Sequence, residues 1–194
     1  ALGGEAGIGV MVLSPRAVER LDTYRPDRPI PKLLRLTDGQ GRFDRTLADG
    51  VAINTFSVLT LEDWIDALGW ARDVGGLSAL IRRTDANYAA LSEWVDKNDW
   101  IDFLPDRPEI RSTTSVCLKF VDPRVTRLED KAQKAFVSRF KALLENEAAV
   151  FDMEPHRNAP PGLRLWCGCT VETADVIAAT PWLEWAFQTA IENV

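Results

Sequence analysis

The sequence predicts a mixed α/β protein in which strands and helices alternate after about residue 100. From there the pattern runs strand, strand, helix, strand, strand, helix, which favours a sheet with helices packed on one face. Ahead of it, apolar residues recur at three- and four-residue spacing from Leu61, which indicates helices. A chain of 194 residues, 46% of them hydrophobic, is long enough for one large domain or two small ones.

The beginning of the chain predicts a strand followed by a long loop. Residues 9–14 form a short apolar run that ends at Pro15, as a buried strand would. Residues 22–52 are rich in Pro, Gly, Arg and Asp and show no clear periodicity. A loop of this length in a compact protein is usually functional or packed on a neighbouring part.

Two helices are expected next. The first would begin at Leu61 with Thr60 as its N-cap, and Gly75-Gly76 would end it. The apolar stripe of the second helix consists of Leu80, Tyr88, Leu91, Trp94 and Val95. The Trp and Phe side chains at such spacings are expected to lie in the core.

The rest of the chain supplies the predicted sheet. Strands are expected near 100–104, 114–121, 149–153 and 163–167, and helices at about 127–146 and 172–192. The last helix would tolerate Pro181 only with a kink or a break. We therefore predict two parts: residues 1–75 as the end of a larger domain, and residues 76–194 as a connecting helix and a compact small domain.

Composition excludes several classes of protein. The net charge of −6 makes nucleic acid an unsuitable partner, because phosphate backbones require a basic face. No apolar run approaches the roughly 20 residues of a membrane span. Three cysteines fit reduced thiols better than a disulfide framework. Cys167 and Cys169 would share one face of a strand, but two thiols without further ligands rarely hold zinc, so no metal site is expected.

The tract from His156 to Arg164 carries the clearest chemistry. It holds His156, Arg157 and Arg164, with a Pro-Pro-Gly turn between the two arginines. Such an arrangement suits a small ligand with two or three negative charges, one group binding a phosphate and another a carboxylate.

Several segments in the right order resemble phosphoserine aminotransferases, pyridoxal-phosphate enzymes of fold type I, class V. The most specific segments are Gly3-Gly4-Glu5, residues 13–19, Ile53-Asn54-Thr55, Arg111-Ser112-Thr113-Thr114-Ser115-Val116 and residues 160–166. The resemblance covers essentially the whole chain and corresponds to the C-terminal half of the family. The residues of the last two segments resemble those of the bacterial branch that is typical of alphaproteobacteria.

The resemblance implies transfer of an amino group between glutamate and 3-phosphohydroxypyruvate, with pyridoxal 5'-phosphate as cofactor. It further implies a cytoplasmic homodimer with shared active sites that serves serine biosynthesis. The Schiff-base lysine of the family would lie just upstream of Ala1, so this chain alone is expected to be inactive and to contain no catalytic residue. Two alternatives remain: a serine–glyoxylate type aminotransferase of the same class, and a non-catalytic dimerisation or interaction module of the same fold.

The resemblance also assigns binding roles. Arg164 matches the arginine that binds the substrate α-carboxylate, and His156 and Arg157 match the pair that holds the substrate phosphate. Asn54 and Thr55 match the dipeptide that reaches the cofactor phosphate of the neighbouring subunit. The alternatives are an arginine at a strand edge paired with a surface acid, a histidine in an exposed turn, and plain helix-capping residues.

Overall fold

The computed structural model describes residues 9–52 and 54–192. The chain divides into two compact units, one ending at Ala67 and the other beginning at Leu68. The predicted domain boundary at residue 75 stays a prediction. The Gly3-Gly4-Glu5 segment and Ile53 lie outside the described residues.

The first unit begins with a helix, and a long irregular segment follows it. Helix α1 spans Pro15–Thr23, and the Ser14 side chain caps it by accepting a hydrogen bond from the Ala17 backbone N–H. After it the chain makes two short 3-10 turns, Lys32–Leu34 and Arg45–Leu47, as the missing periodicity predicted. In these turns, backbone N–H groups donate to carbonyl groups three residues earlier in the same segment.

The strand predicted at residues 9–14 is wrong. These residues are irregular, and Val10, Met11 and Val12 are 71%, 67% and 89% exposed. A strand requires a neighbouring strand to satisfy its backbone groups, and none pairs with this segment among the described residues. Apolar composition alone therefore did not determine the conformation.

Two long helices follow, as predicted, but the first begins earlier than expected. Helix α2 spans Val58–Asp73 and helix α3 spans Gly76–Asp96. Ser57, not Thr60, provides the cap of α2, because its Oγ accepts from the Thr60 N–H at 3.4 Å. Gly75, at φ 111°, allows the chain to leave α2 and enter α3.

The second unit is built on a three-stranded antiparallel sheet. Strands β1 (Ile101–Phe103), β2 (Ser115–Phe120) and β3 (Leu163–Trp166) lie in that order. Burial alternates along β2, so that one face of the sheet is buried and the other is half-buried. Helices cover the buried face, as the mixed α/β prediction required.

Three helices complete this unit, and the two long ones were predicted with small shifts. The helix predicted at 127–146 is α5 (Asp130–Asn146), and a short helix that was not predicted, α4 (Pro123–Thr126), precedes it. Helix α6 spans Thr173–Ile191 and continues through Pro181 without a break. Proline cannot donate to the carbonyl four residues earlier, here that of Ile177, and the Thr180 hydroxyl donates to this oxygen at 2.9 Å instead.

The strand predicted at residues 149–153 is also wrong. Ala148 and Asp152 have positive φ values of 53° and 54°, which interrupt an extended chain. Only one backbone bond joins the segment to β3, from the Arg164 N–H to the Met153 carbonyl at 3.1 Å. The order is therefore ββαβα with a short extra helix, and not ββαββα.

Aromatic side chains fill the core between sheet and helices. Trp100 stacks on Phe187 with ring centroids 4.1 Å apart, and Phe120 meets Phe136 and Phe140 edge to face. Such pairs add about 0.5–1.5 kcal/mol each beyond the burial of their area. The expectation that the Trp and Phe side chains lie in the core is wrong for five exposed ones: Phe56, Phe151, Trp166, Trp182 and Trp185.

Candidate functional site

Arg164 lies in the middle of the edge strand β3. Its register partner is Cys117 of β2, on the half-buried face of the sheet. The Arg164 side chain lines a cavity of about 310 Å³ together with Phe151, Trp166 and Asp175. Within the part of the chain that the structure describes, Arg164 forms no ion pair, which argues against an arginine that serves only to pair with a surface acid. Its guanidinium is available to a ligand.

Asn87 holds the turn that follows this strand, and the sequence analysis missed it. It is fully buried in α3, and its Nδ2 donates to the carbonyls of Cys167, Gly168 and Val171 at 3.3, 3.1 and 3.0 Å. Its Oδ1 accepts from the Thr173 hydroxyl at 2.7 Å. Asn87 thereby fixes the connection between β3 and α6. The only signal in the sequence was a polar residue beside the apolar stripe of α3.

Arg83, one helical turn before Asn87, binds the outer side of the same connection. Its Nε donates to the Cys169 carbonyl at 2.8 Å, and its guanidinium pairs with Glu172 at 2.5 Å. This hydrogen bond from Arg83 lowers the pKa of the Glu172 carboxyl. Asn87 and Arg83 together attach the connection between β3 and α6 to α3.

His156 and Arg157 lie on an exposed loop that contributes to a different cavity. This cavity, of about 230 Å³, is also lined by Lys134 of α5 and by Glu154. Lys141 forms an ion pair with Glu154, which offsets the one carboxylate lining the cavity. The His156 Nδ1 accepts from the Asn158 N–H at 3.3 Å, so that in the neutral ring the proton lies on Nε2.

The Pro-Pro-Gly turn connects the two cavities in sequence. A Cβ built on Gly162 would lie 2.3 Å from the Leu118 carbonyl oxygen of β2, so only glycine fits. The turn therefore brings the chain directly from the His156 loop onto the sheet at Leu163. The structure places His156 and Arg157 in one cavity and Arg164 in another, and their binding roles stay predictions.

Asn54 and Thr55 lie in the first unit, shortly before α2. Both are exposed, and neither side chain forms a hydrogen bond within the described residues. Because Ser57 provides the cap, the alternative that these two residues merely cap the helix is wrong. An amide and a hydroxyl close to a helix N-terminus suit a phosphate group, so this donor set fits the phosphate of pyridoxal phosphate.

The three cysteines are free thiols. Cys167 follows β3 and Cys169 lies in the next turn, so the pair does not share the face of a strand as predicted. Burial raises the pKa of the Cys167 thiol to about 11, which keeps it protonated and unreactive. Across residues 9–52 and 54–192, no group of three or more His, Cys, Asp or Glu side chains could hold a metal ion. No helix described here has the length and apolar character needed to cross a bilayer.

The fold is shared with solved phosphoserine aminotransferases. A structure from a study of radiation damage of the Schiff base in phosphoserine aminotransferase matches 75% of this chain and 37% of its own, with a TM-score of 0.60 and 17% identity. The pyridoxal-phosphate-bound phosphoserine aminotransferase of Trichomonas vaginalis matches 72% of this chain and 36% of its own, with a TM-score of 0.59 and 17% identity. The predicted fold class is thus confirmed.

Sequence comparison then gives the family. The chain is 46% identical over 186 residues to the phosphoserine aminotransferase of Methanosarcina mazei and 47% identical over 186 residues to that of Methanosarcina barkeri. The match covers 96% of this chain but 47% of each relative, so the chain spans about half the length of these relatives. No family model matches the chain. The resemblance is confirmed: over the part that it spans, the chain is a homologue of the phosphoserine aminotransferases. Its alphaproteobacterial type stays a prediction.

Proposed function

We propose that the chain is the C-terminal half of a pyridoxal-phosphate-dependent phosphoserine aminotransferase. The complete enzyme would exchange an amino group between glutamate and 3-phosphohydroxypyruvate, giving 2-oxoglutarate and phosphoserine for serine biosynthesis in the cytoplasm. The observation that carries the proposal is the near-complete coverage of this chain by relatives of that name. The proposal includes a homodimer with shared active sites.

In this proposal Arg164 binds the α-carboxylate that both substrates carry. A guanidinium offers two parallel donors to a carboxylate, which a lysine cannot reproduce. Two observations support this role: Arg164 lies on a paired strand, and within the described residues no ion pair competes for its guanidinium. Both half-reactions would therefore depend on it.

His156 and Arg157 would bind the phosphate at the other end of the substrate. A substrate with a phosphate and a carboxylate requires two separate groups of donors, and the two cavities would provide them. The ion pair between Lys141 and Glu154 supports this role, because an unpaired carboxylate would repel a phosphate. This pair would distinguish phosphoserine from serine.

Asn54 and Thr55 would hold the cofactor phosphate of the neighbouring subunit. When bound, pyridoxal phosphate supplies an electron sink for the transfer of the amino group. The contribution of this chain is to bind and orient the charged ends of cofactor and substrate.

The experiment that tests the function is a single-turnover assay of the complete protein, followed by the absorbance of its cofactor. Phosphoserine and glutamate should both react, and serine should react far more slowly. Replacing His156 and Arg157 by Ala should slow the phosphoserine reaction on the order of tenfold or more, since each charge-assisted hydrogen bond contributes about 1.5–3 kcal/mol. Glutamate should be affected much less.

Arg127→Ala is a matched control, because this exposed arginine lines neither cavity. It should leave both rates unchanged. Arg164→Lys should slow both half-reactions together. An unchanged ratio of phosphoserine to glutamate rates in the double Ala variant, or equally fast turnover of serine, would favour the serine–glyoxylate type. Absence of turnover with every amino donor would favour the non-catalytic module.

A further inference from the structure

A cavity of about 310 Å³ lies in the first unit, between α1 and the loop that follows it. Four arginines line it: Arg20, Arg25, Arg28 and Arg35. None of the roles proposed above uses this cavity, which we call the arginine cavity.

The arginine cavity concentrates positive charge. No Asp or Glu lines it, and within the described residues none of its four arginines forms an ion pair. This concentration occurs in a chain whose net charge is −6. Guanidinium groups that share a cavity without counter-charge repel one another, and a bound anion would relieve that repulsion.

Two of the arginines are already held in place. Arg25 donates from Nη1 to the carbonyls of Asp22 and Tyr24 at 3.1 and 3.2 Å. It packs against Gly41, where a Cβ would lie 2.9 Å from the Arg25 Nε and where φ is 78°. The Arg20 guanidinium lies 4.2 Å from the centroid of the Tyr24 ring. A ligand would therefore meet donors that have already lost much of their conformational freedom.

Most of the remaining wall of the arginine cavity is apolar. Its apolar part includes Leu21, Pro26, Pro29, Ile30 and Leu34. Inorganic phosphate would use the arginines but not this wall, whereas a ligand with an apolar body would use both. We propose that the arginine cavity binds a small organic phosphate whose phosphate contacts the arginines and whose hydrocarbon or aromatic body contacts the apolar wall.

Three probes separate the parts of this proposal, measured by calorimetric titration of the complete, cofactor-loaded protein. Phenyl phosphate carries both the charge and the apolar body, inorganic phosphate only the charge, and phenol only the body. Saturating glutamate, which carries no phosphate, is present throughout, so that the substrate site is occupied. Phenyl phosphate should bind most tightly, inorganic phosphate on the order of tenfold more weakly, and phenol not measurably. Added salt should weaken the binding of phenyl phosphate.

Two double variants locate the binding. Arg28 and Arg35 donate no side-chain hydrogen bond within the described residues, so replacing both by Gln removes charge without disturbing the loop. The affinity for phenyl phosphate should fall on the order of tenfold or more. Arg16→Gln with Arg45→Gln is the control, because both arginines are exposed in the same unit and neither lines the cavity. It should change the affinity less than about twofold.

Three results would overturn the proposal. The first is no saturable binding of phenyl phosphate to the complete protein, as expected if another part of the protein covers the cavity. The second is an equal loss of affinity in the two double variants, which would show that the net charge of the protein, and not the arginine cavity, determines the affinity. The third is equal affinity for phenyl phosphate and inorganic phosphate, which would remove the role of the apolar wall.

Discussion

At the scale of single residues, one buried amide holds the turn that follows β3. Asn87 contacts residues 80 to 86 positions away in sequence, and these contacts fix the turn after the strand that carries Arg164. Its Nδ2 donates to three carbonyl groups, and that of Gly168 also accepts from the Val171 N–H. A buried carbonyl that loses its donor costs about 1–3 kcal/mol, far more than the net gain from an average hydrogen bond.

We expect Asn87→Leu to loosen this turn selectively. The variant preserves volume but removes the donor, so residues 167–171 should open more easily, by about 2 kcal/mol. Hydrogen exchange of a peptide covering residues 163–176 in the complete protein measures this opening. Asn146→Leu, at the exposed end of α5, serves as control and should leave the peptide unchanged. Equal protection in wild type and the Asn87 variant would contradict the role.

At the scale of elements, sequence patterns predicted helices better than strands. A helix that buries one face carries apolar residues three and four positions apart, so the pattern is visible within a short stretch of sequence. The apolar runs at 9–14 and 149–153 looked like strands, but a strand exists only where a partner strand lies beside it. Neither the missing partner of the first nor the positive φ values in the second could be read from composition.

Helix α6 illustrates how a local compensation can preserve an element. Pro181 leaves the Ile177 carbonyl without its usual donor, and the Thr180 hydroxyl takes that place. Thr180→Ala should therefore destabilise the protein by about 1 kcal/mol, while Thr180→Ser should be nearly neutral because it keeps the hydroxyl.

The same pair allows a test by a double-mutant cycle. In a Pro181→Ala background, the new N–H at position 181 can donate to Ile177, so Thr180→Ala should cost much less there. Free energies of unfolding in urea, with a probe of α6, measure the coupling. Strict additivity of the two changes would show that the hydroxyl does not replace the missing donor.

At the scale of the whole molecule, the proposed shared active site can be tested by mixing subunits. One subunit carries Asn54→Ala and Thr55→Ala; the other lacks the cofactor-binding lysine that the family resemblance places upstream of Ala1. Each homodimer should be inactive. In the mixed dimer, one site combines an intact lysine with intact Asn54 and Thr55 from the partner. Activity should recover to about half of the wild-type value per mixed dimer.

The measurement is the amino-transfer rate after the subunits have been mixed and the mixed dimer has been isolated by two affinity tags. An isolated mixed dimer as inactive as either parent would place both residues in the site of their own subunit. A wild-type subunit mixed with the lysine-lacking subunit provides the reference for one working site.

The sequence by itself determined the mixed α/β class, the helices of the second unit, the resemblance to the aminotransferases, and the residue types suited to a phosphate and a carboxylate. These features depend on periodicity and on the order of short motifs, which are local properties of the chain. The donor chemistry of His156, Arg157 and Arg164 is likewise a property of the residues themselves.

Only the tertiary structure decided where these groups lie. It placed Arg164 and the His156 loop in separate cavities, paired Lys141 with Glu154, and brought Asn87 to the turn after β3. It also collected four arginines around one cavity in a loop without periodicity. Most of these arrangements depend on contacts between residues that are distant in sequence, and no local pattern encodes which of many possible partners will meet.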